Sequence, residues 1–291
     1  MSVLDRKKFG MVLRTFAKTP EQVEMNATMA LSAARKAEAI EKGGKPLYAK
    51  VLILIPRDQS YADCDCGETL AFLKRFIEPG SRIEVHEVEN GDLFCGLLNY
   101  GVAKLARFGC DYVTIMSPGA ASYLSLEEME RAGVAFEHGA RVSAIAIDEL
   151  AASVLEGRAA NTLATWDTVA LQTVGAFDLR ASQPRQNDPT APYVRGYDLT
   201  EGKEVFYAQA GVEEIIPLIR LVQLFGECIA PMLPLAPSTW EVPDSVTDPE
   251  GYQRHLKKLG TKFERQVIHA AYVNADLSVI QGGVMKRYRT F

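Results

Sequence analysis

Between Asn90 and Ala120 the chain reads NGDLFCGLLNYGVAKLARFGCDYVTIMSPGA, and this stretch limits the fold more than any other. Leu93, Leu97, Tyr100, Gly101, Lys104 and Leu105 follow helical spacing, and Gly109 supplies the stop. Asp111 to Met116 (DYVTIM) is short, β-rich and nearly uncharged, as a strand buried on both faces must be. A helix that feeds directly into such a strand belongs to a parallel sheet. The turn after it, Ser117-Pro118-Gly119, then lies at the carboxyl end of the strand, where open α/β sheets bind ligands. That turn carries no charge.

Other segments repeat the theme. Val51–Ile55 is an apolar run ended by Pro56, read as a central strand with Arg57-Asp58-Gln59 at its ligand-facing end. Leu70, Leu73 and Ile77 mark a helix closed by Pro79-Gly80, and Ile83–Val88 is the next strand, leading into Asn90-Gly91-Asp92. His86 within it is read as structural. Arg141–Ile147 (RVSAIAI) is a further strand, and Asn161–Trp166 a short one whose follower, Asp167, caps a helix ended by Gly175. Right-handed crossovers gather alternating strands and helices into one sheet. Tyr61 to Cys66 alternates carboxylates with thiolates, but no second ligand pair follows, so it is read as a polar loop.

The flanks read differently. Thr19-Pro20-Glu21-Gln22 opens a helix whose thin stripe, Val23, Ala27, Ala30, Ala34 and Ala37, runs to Gly43-Gly44. It is read first as docking on its own domain and second as a contact for another copy of the chain, a homo-oligomer. The segment 181–203 is polar and proline-bearing, a functional or disordered connection. Pro231 to Pro249 reads as an extended surface segment, followed by one long helix with Leu256, Leu259, Phe263 and Val267 on one face. The tail Met285–Arg289 is basic. The boundaries that follow are an N-terminal helical arm over 1–46, an α/β domain over 47–235, and an extended segment and helix over 236–291. A formal charge of −5 gives no basis for nucleic-acid binding. No apolar run is long enough to span a membrane, and the first residues lack a signal-peptide core. Five cysteines do not make a disulfide scaffold, so a cytoplasmic setting is expected.

Three pieces occur in an informative order: VLILIPRDQ (51–59), the 90–119 stretch, and NTLATWDTVALQTVGAFD (161–178) followed by GVEEIIPLIRLVQLFGECIAP (211–231). Together they resemble the family 2 glycosyltransferases of the GT-A fold. The matching features are Pro56, Asn90-Gly91, Asn99, the turn Gly175-Ala176-Phe177-Asp178, the pair Glu213-Glu214, and Arg220. The resemblance implies a Rossmann-like, mostly parallel sheet between helices, with helical appendages at both ends. It implies a hexosyl-type transfer from a nucleotide-sugar donor to an acceptor that the residues do not name. Donor contacts fall on Pro56, Arg57, Asp58, Asn90, Asp92, Asn99, Ser117, Gly119 and Arg220, and the catalytic base on Glu214 with Glu213 beside it.

The chain departs from that family at two points: the strand that in the family carries an aspartate near the nucleobase is not found, and the metal-binding turn is changed. The strand ending at Met116 should lead into Asp-x-Asp, which holds a divalent metal on the donor diphosphate; here Ser117-Pro118-Gly119 takes its place. A hard cation needs carboxylates or several oxygens, so no bound metal is expected at this turn, and the transfer is read as inverting and metal-independent. Arg220, Lys286, Arg287 and Arg289 are the candidate substitutes for its charge. The alternative is a homologue that has lost catalysis and serves as a binding or assembly protein.

Overall fold

The computed structural model describes residues 2–17, 19–57, 66–89, 94–146, 156–179, 193–198, 202–208, 212–235, 244–247, 249–260 and 262–289. In chain order the elements are α1 (Val3–Arg6), β1 (Phe9–Arg14), α2 (Pro20–Glu38), the hairpin β2 (Glu41–Lys42) and β3 (Lys45–Pro46), β4 (Tyr48–Pro56), α3 (Cys66–Phe76), β5 (Ile83–Val88), α4 (Phe94–Arg107) and β6 (Tyr112–Met116). A 3₁₀ turn over Pro118–Tyr123 leads to α5 (Leu126–Glu137), β7 (Val142–Ile145), β8 (Leu163–Asp167) and α6 (Thr168–Thr173). Then come β9 (Tyr193–Asp198), β10 (Lys203–Ala208), α7 (Ile215–Phe225), β11 (Ile229–Met232), α8 (Pro249–Gly260), α9 (Lys262–Tyr272) and α10 (Ser278–Gly282).

Seven strands form one sheet in the order β11-β7-β8-β6-β1-β4-β5. Every pairing is parallel except those of β8, which runs antiparallel to β6 and β7. The strands expected at Val51–Ile55, Ile83–Val88, Tyr112–Met116 and Val142 onward all lie in it. Side chains alternate across the strands, so the sheet has two cores. Val12, Leu52, Leu54 and Ile115 pack with α4 and α7 on one face. Met11, Leu13, Val51 and Ile53 pack with α2 and α5 on the other.

The N-terminal segment is not an arm. Phe9–Arg14 is an interior strand of the sheet, between β6 and β4, with Val12 opposite Leu52 on one side and Ile115 on the other. Only five uncharged residues, FGMVL, separate Lys8 from Arg14, too few to show a period but enough for a strand buried on both faces. Its glycine is needed for packing: a Cβ on Gly10 would lie 2.7 Å from a Leu105 methyl of α4, and one on Gly101 of α4 would lie 2.7 Å from a Val12 methyl. The two glycines let helix and strand approach closely. The stripe of α2 docks on the chain's own domain. Ala27, Ala30, Ala34 and Ala37 are fully buried there, which covers the surface that a second copy would have used.

Three further readings change. Part of the 181–203 connection belongs to a hairpin, with β9 and β10 paired antiparallel. Pro231 is buried in β11, an edge strand, where its missing N–H costs no ladder bond. The C-terminal helix is two helices, and its apolar stripe faces outward: Leu256 is 43%, Phe263 61% and Val267 40% exposed. In α9 the polar residues Arg265, Gln266 and His269 are buried, together with Ala270.

Candidate active site

A cavity of about 290 Å³ opens at the carboxyl ends of β1 and β6. That is near the lower end of small-molecule sites, roughly 300–1,000 Å³. Arg14, the last residue of β1, lies 4.7 Å from the Phe16 ring centroid and 4.2 Å from that of Phe94, so a cation is held between two aromatic faces on the cavity wall. Thr15 follows. Its N–H donates to the Leu54 carbonyl at 3.1 Å, which fixes the backbone, while its buried hydroxyl has no hydrogen-bond partner. Asn161 lines the same cavity. Its Oδ1 accepts from Trp166 Nε1 at 3.1 Å, and its amide group acts on the Glu213 carboxyl. The orphaned Thr15 hydroxyl costs about 1–3 kcal/mol, so the wall carries polar capacity that folding alone does not use.

Glu213 and Glu214 lie behind this wall, both buried, at the start of α7. Burial pushes the Glu213 carboxyl above the ordinary range, while Arg14, the Asn161 amide and Lys262 favour its charged form. Glu213 Oε2 is buried without a hydrogen bond. Glu214 is pushed up to about 8, first by burial and then by the charge of Glu213, against the pull of Lys262 and Arg265 on α9. The residue stands at the N-cap of α7, but its side chain makes no cap hydrogen bond. Burial therefore outweighs the stabilisation that a helix start gives an ionised carboxyl.

The other expected site residues are placed as follows. Ser117 lines the cavity; its N–H donates to the Thr162 carbonyl at 2.9 Å. Gly119 is exposed on the 3₁₀ turn, outside the cavity lining. Pro56 is buried at the end of β4, and Arg57 is exposed, 3.1 Å from Glu89. Both amide atoms of Asn99 are engaged by the backbone of Phe177. Arg220 bonds Asp178 at 3.1 Å and reaches the Val174 carbonyl at 3.4 Å, so it braces the 175–178 turn. Of the tail cations, Arg289 pairs with Glu227 at 2.9 Å. Asp58, Asn90 and Asp92 lie outside the described residues.

Sequence reasoning missed Arg14, Thr15, Phe94, Lys262 and Arg265. The signal for the first two was the five-residue apolar run before Arg14. For the last two it was the polar spacing Lys262, Arg265, Gln266, His269 along one helix face.

The Ser117 turn offers a metal only neutral oxygens, and among the described residues no group of three or more His, Cys, Asp or Glu is placed to hold one. No family model and no curated protein sequence matches the chain. Among solved structures, a mannosyltransferase from Pyrobaculum calidifontis, in complex with GDP-Man and Mn2+, matches 92% of this chain at 12% identity and a TM-score of 0.51. The chain spans 64% of that protein's length. A cytidylyltransferase from Leptospira borgpetersenii matches 96% of this chain and 99% of its own, at 10% identity and a TM-score of 0.47. A 4-diphosphocytidyl-2C-methyl-D-erythritol synthase from Anaerococcus prevotii matches more loosely, with 8% identity over 87% of this chain and 98% of its own and a TM-score of 0.40. The first likeness, with the strand order above, defines the fold as that of the nucleotide-diphospho-sugar transferases, the GT-A-like α/β fold.

Proposed function

We propose that this chain is a glycosyltransferase related to family 2, which moves a sugar from a nucleotide-sugar donor to an acceptor hydroxyl with inversion and without a metal at the Ser117 turn. One observation carries the reading: a buried carboxylate pair, one member with its pKa raised to about 8, stands behind a cavity at the carboxyl end of the sheet. A carboxyl tuned to that range is a stronger base than an ordinary one and titrates near the operating pH of a cell, which is what proton abstraction from a hydroxyl demands.

In the proposed step the acceptor oxygen attacks the anomeric carbon as the bond to the diphosphate oxygen breaks. The acceptor proton passes to Glu214, and the electron pair leaves with the diphosphate. Arg14 and Asn161 oppose the burial that pushes the Glu213 carboxyl up, and the charge Glu213 carries when ionised keeps Glu214 basic. Arg14, backed by Phe16 and Phe94, and Ser117 face the nucleotide part of the donor. Pro56, Arg57, Asn99, Gly119 and Arg220 support the loops around the site. Asp58, Asn90 and Asp92 remain proposed donor contacts on the resemblance alone. The test is calorimetric titration with UDP-glucose and GDP-mannose, with and without Mn2+. The reading expects one of them to bind equally well in both conditions. Absence of binding under either condition overturns it.

A further inference from the structure

The edge of the sheet opposite the cavity is basic and apolar at once. Lys7 and Lys8 precede β1, Arg107 ends α4, and Arg141 precedes β7. The basic tail reaches the same edge, where the Met285 N–H donates to the Ile229 carbonyl at the start of β11. Contacts tie these groups into one rim. Lys8 Nζ donates to the Phe108 carbonyl at 2.6 Å. Lys7 pairs with Asp111 at 2.8 Å, and the Asp111 carbonyl accepts the Thr168 N–H at 2.9 Å. Asp167 pairs with Arg141 at 2.7 Å, whose guanidinium lies 5.0 Å from the Phe225 ring centroid. Arg289 pairs with Glu227 at 2.9 Å, and Arg287 donates to the Val134 carbonyl at 3.1 Å. Asp111, Asp167 and Glu227 thus each have a cation of their own. Among the described residues, Lys8, Arg107, Lys286 and Arg287 enter no ion pair, so the rim keeps an excess of positive charge in a chain whose formal charge is −5. Apolar side chains stand between the cations: Val134, Val169, Leu224 and Phe225 are exposed, Val169 at 70%.

We propose that this rim docks on the surface of a bilayer that carries anionic lipids. Headgroup anions take the cations, and the apolar side chains between them enter the boundary with the acyl chains. A cation at the end of a helix also serves the helix dipole, which accounts for Arg107 but not for Lys8, Lys286 or Arg287. A nucleic acid would use the cations and leave Val169, Leu224 and Phe225 in water. A second copy set on the same face by a two-fold axis would bring like charges together. The cavity lies at the other ends of the strands, so a docked chain keeps it open to solvent. Lys286, Arg287 and Arg289, which the resemblance offered as partners of a departing diphosphate, stand at the far end of the sheet from it and serve this surface instead. The inference does not depend on which donor the cavity takes.

The experiment is co-sedimentation with vesicles of phosphatidylcholine alone and of phosphatidylcholine with about one-third phosphatidylserine, at low and at near-physiological salt. The wild type is expected to sediment with the anionic vesicles, less so as salt rises, and to stay in solution with the neutral ones. Lys286→Gln combined with Arg287→Gln should lower the partition coefficient by roughly 25-fold, at about fivefold for each cation near an anionic surface. Val169→Ser combined with Leu224→Ser should weaken binding severalfold and leave its salt dependence unchanged. All four positions are exposed, so the variants should fold as the wild type does. No binding of the wild type to the anionic vesicles overturns the proposal. So does a glutamine variant that binds as the wild type does, because the bilayer then meets another face. A serine variant that binds as the wild type does also overturns it, because the rim then meets polyanions such as nucleic acid through charge alone.

Discussion

The Asn99 side chain closes on the backbone of Phe177 from both ends: Nδ2 donates to the Phe177 carbonyl at 2.7 Å, and Oδ1 accepts its N–H at 2.9 Å. One amide of α4 thus fixes the turn after α6, although the two residues are 78 positions apart in sequence. Asn99→Leu leaves a donor and an acceptor beside the buried Phe177 ring without partners. We expect a loss of about 2–3 kcal/mol, seen as a lower denaturant midpoint at unchanged slope. A change below half that value would mean that the turn is held by Phe177 packing instead.

Gly101 predicts a second stability effect. A Cβ there would meet Val12 at 2.7 Å and Leu54 at 3.1 Å, between α4 and the middle of the sheet. Alanine in place of a helix-interior glycine normally gains about 1 kcal/mol. Overpacking costs about 1–3 kcal/mol, and Val12 sits on a rigid central strand with little room to yield. Gly101→Val should therefore lower stability by about 2 kcal/mol in urea denaturation. A stabilised variant would show that α4 can move off the sheet.

Arg14 yields a prediction about binding. It is stacked between two phenylalanine rings at the cavity wall. Replacing it with methionine keeps much of the bulk and removes the charge that lines the cavity and favours ionised Glu213. Affinity for the nucleotide should fall about tenfold in calorimetry, the scale of a lost cation contact in a partly dry site. Unchanged affinity would place the nucleotide elsewhere.

The fold was more legible than the site. Val51–Ile55 and Tyr112–Met116 were readable because strands buried on both faces are uninterrupted apolar runs. Phe9–Arg14 obeys the same rule, but it is broken by a glycine and flanked by Lys8 and Arg14, and its partners lie far along the chain. Glu213 and Glu214 were found through a motif. Their raised pKa was not readable, because it depends on burial, which no local motif records. The α9 reading failed for a related reason. Amphipathic period tells that a helix has two faces, and hydrophobicity normally tells which one turns inward; in α9 the cations Lys262 and Arg265 act on the buried Glu213-Glu214 pair, and the choice is reversed.

The raised carboxyl makes stability depend on pH. Glu214 ionises near the ordinary carboxylate value of 4.5 when unfolded, and in the folded chain it is pushed up to about 8. The folded chain therefore binds the proton more tightly, and the protonated group's stabilisation is complete below pH 4.5 and is lost as pH rises through 8. Glu214→Gln removes that dependence. Thermal melts should show the variant several degrees more stable than the wild type at pH 8.5 and nearly equal at pH 5, on the scale of about 2–4 °C per kcal/mol for a chain of this size. Equal differences at the two pH values would mean that Glu214 titrates as an exposed carboxylate does.

The most direct measurement is the release of nucleoside diphosphate from UDP-glucose or GDP-mannose, followed from pH 6 to 9 in the wild type and in Glu214→Gln. If Glu214 takes the acceptor proton, with water as the minimal acceptor, wild-type kcat/KM should rise with pH and level off above about 8, where the carboxyl is ionised. The glutamine variant should turn over about 10²-fold or more slowly, with no such rise, while binding the donor as well as the wild type does. Turnover in Glu214→Gln equal to that of the wild type, with the same pH profile, would contradict the assignment of the base and with it the account of this site.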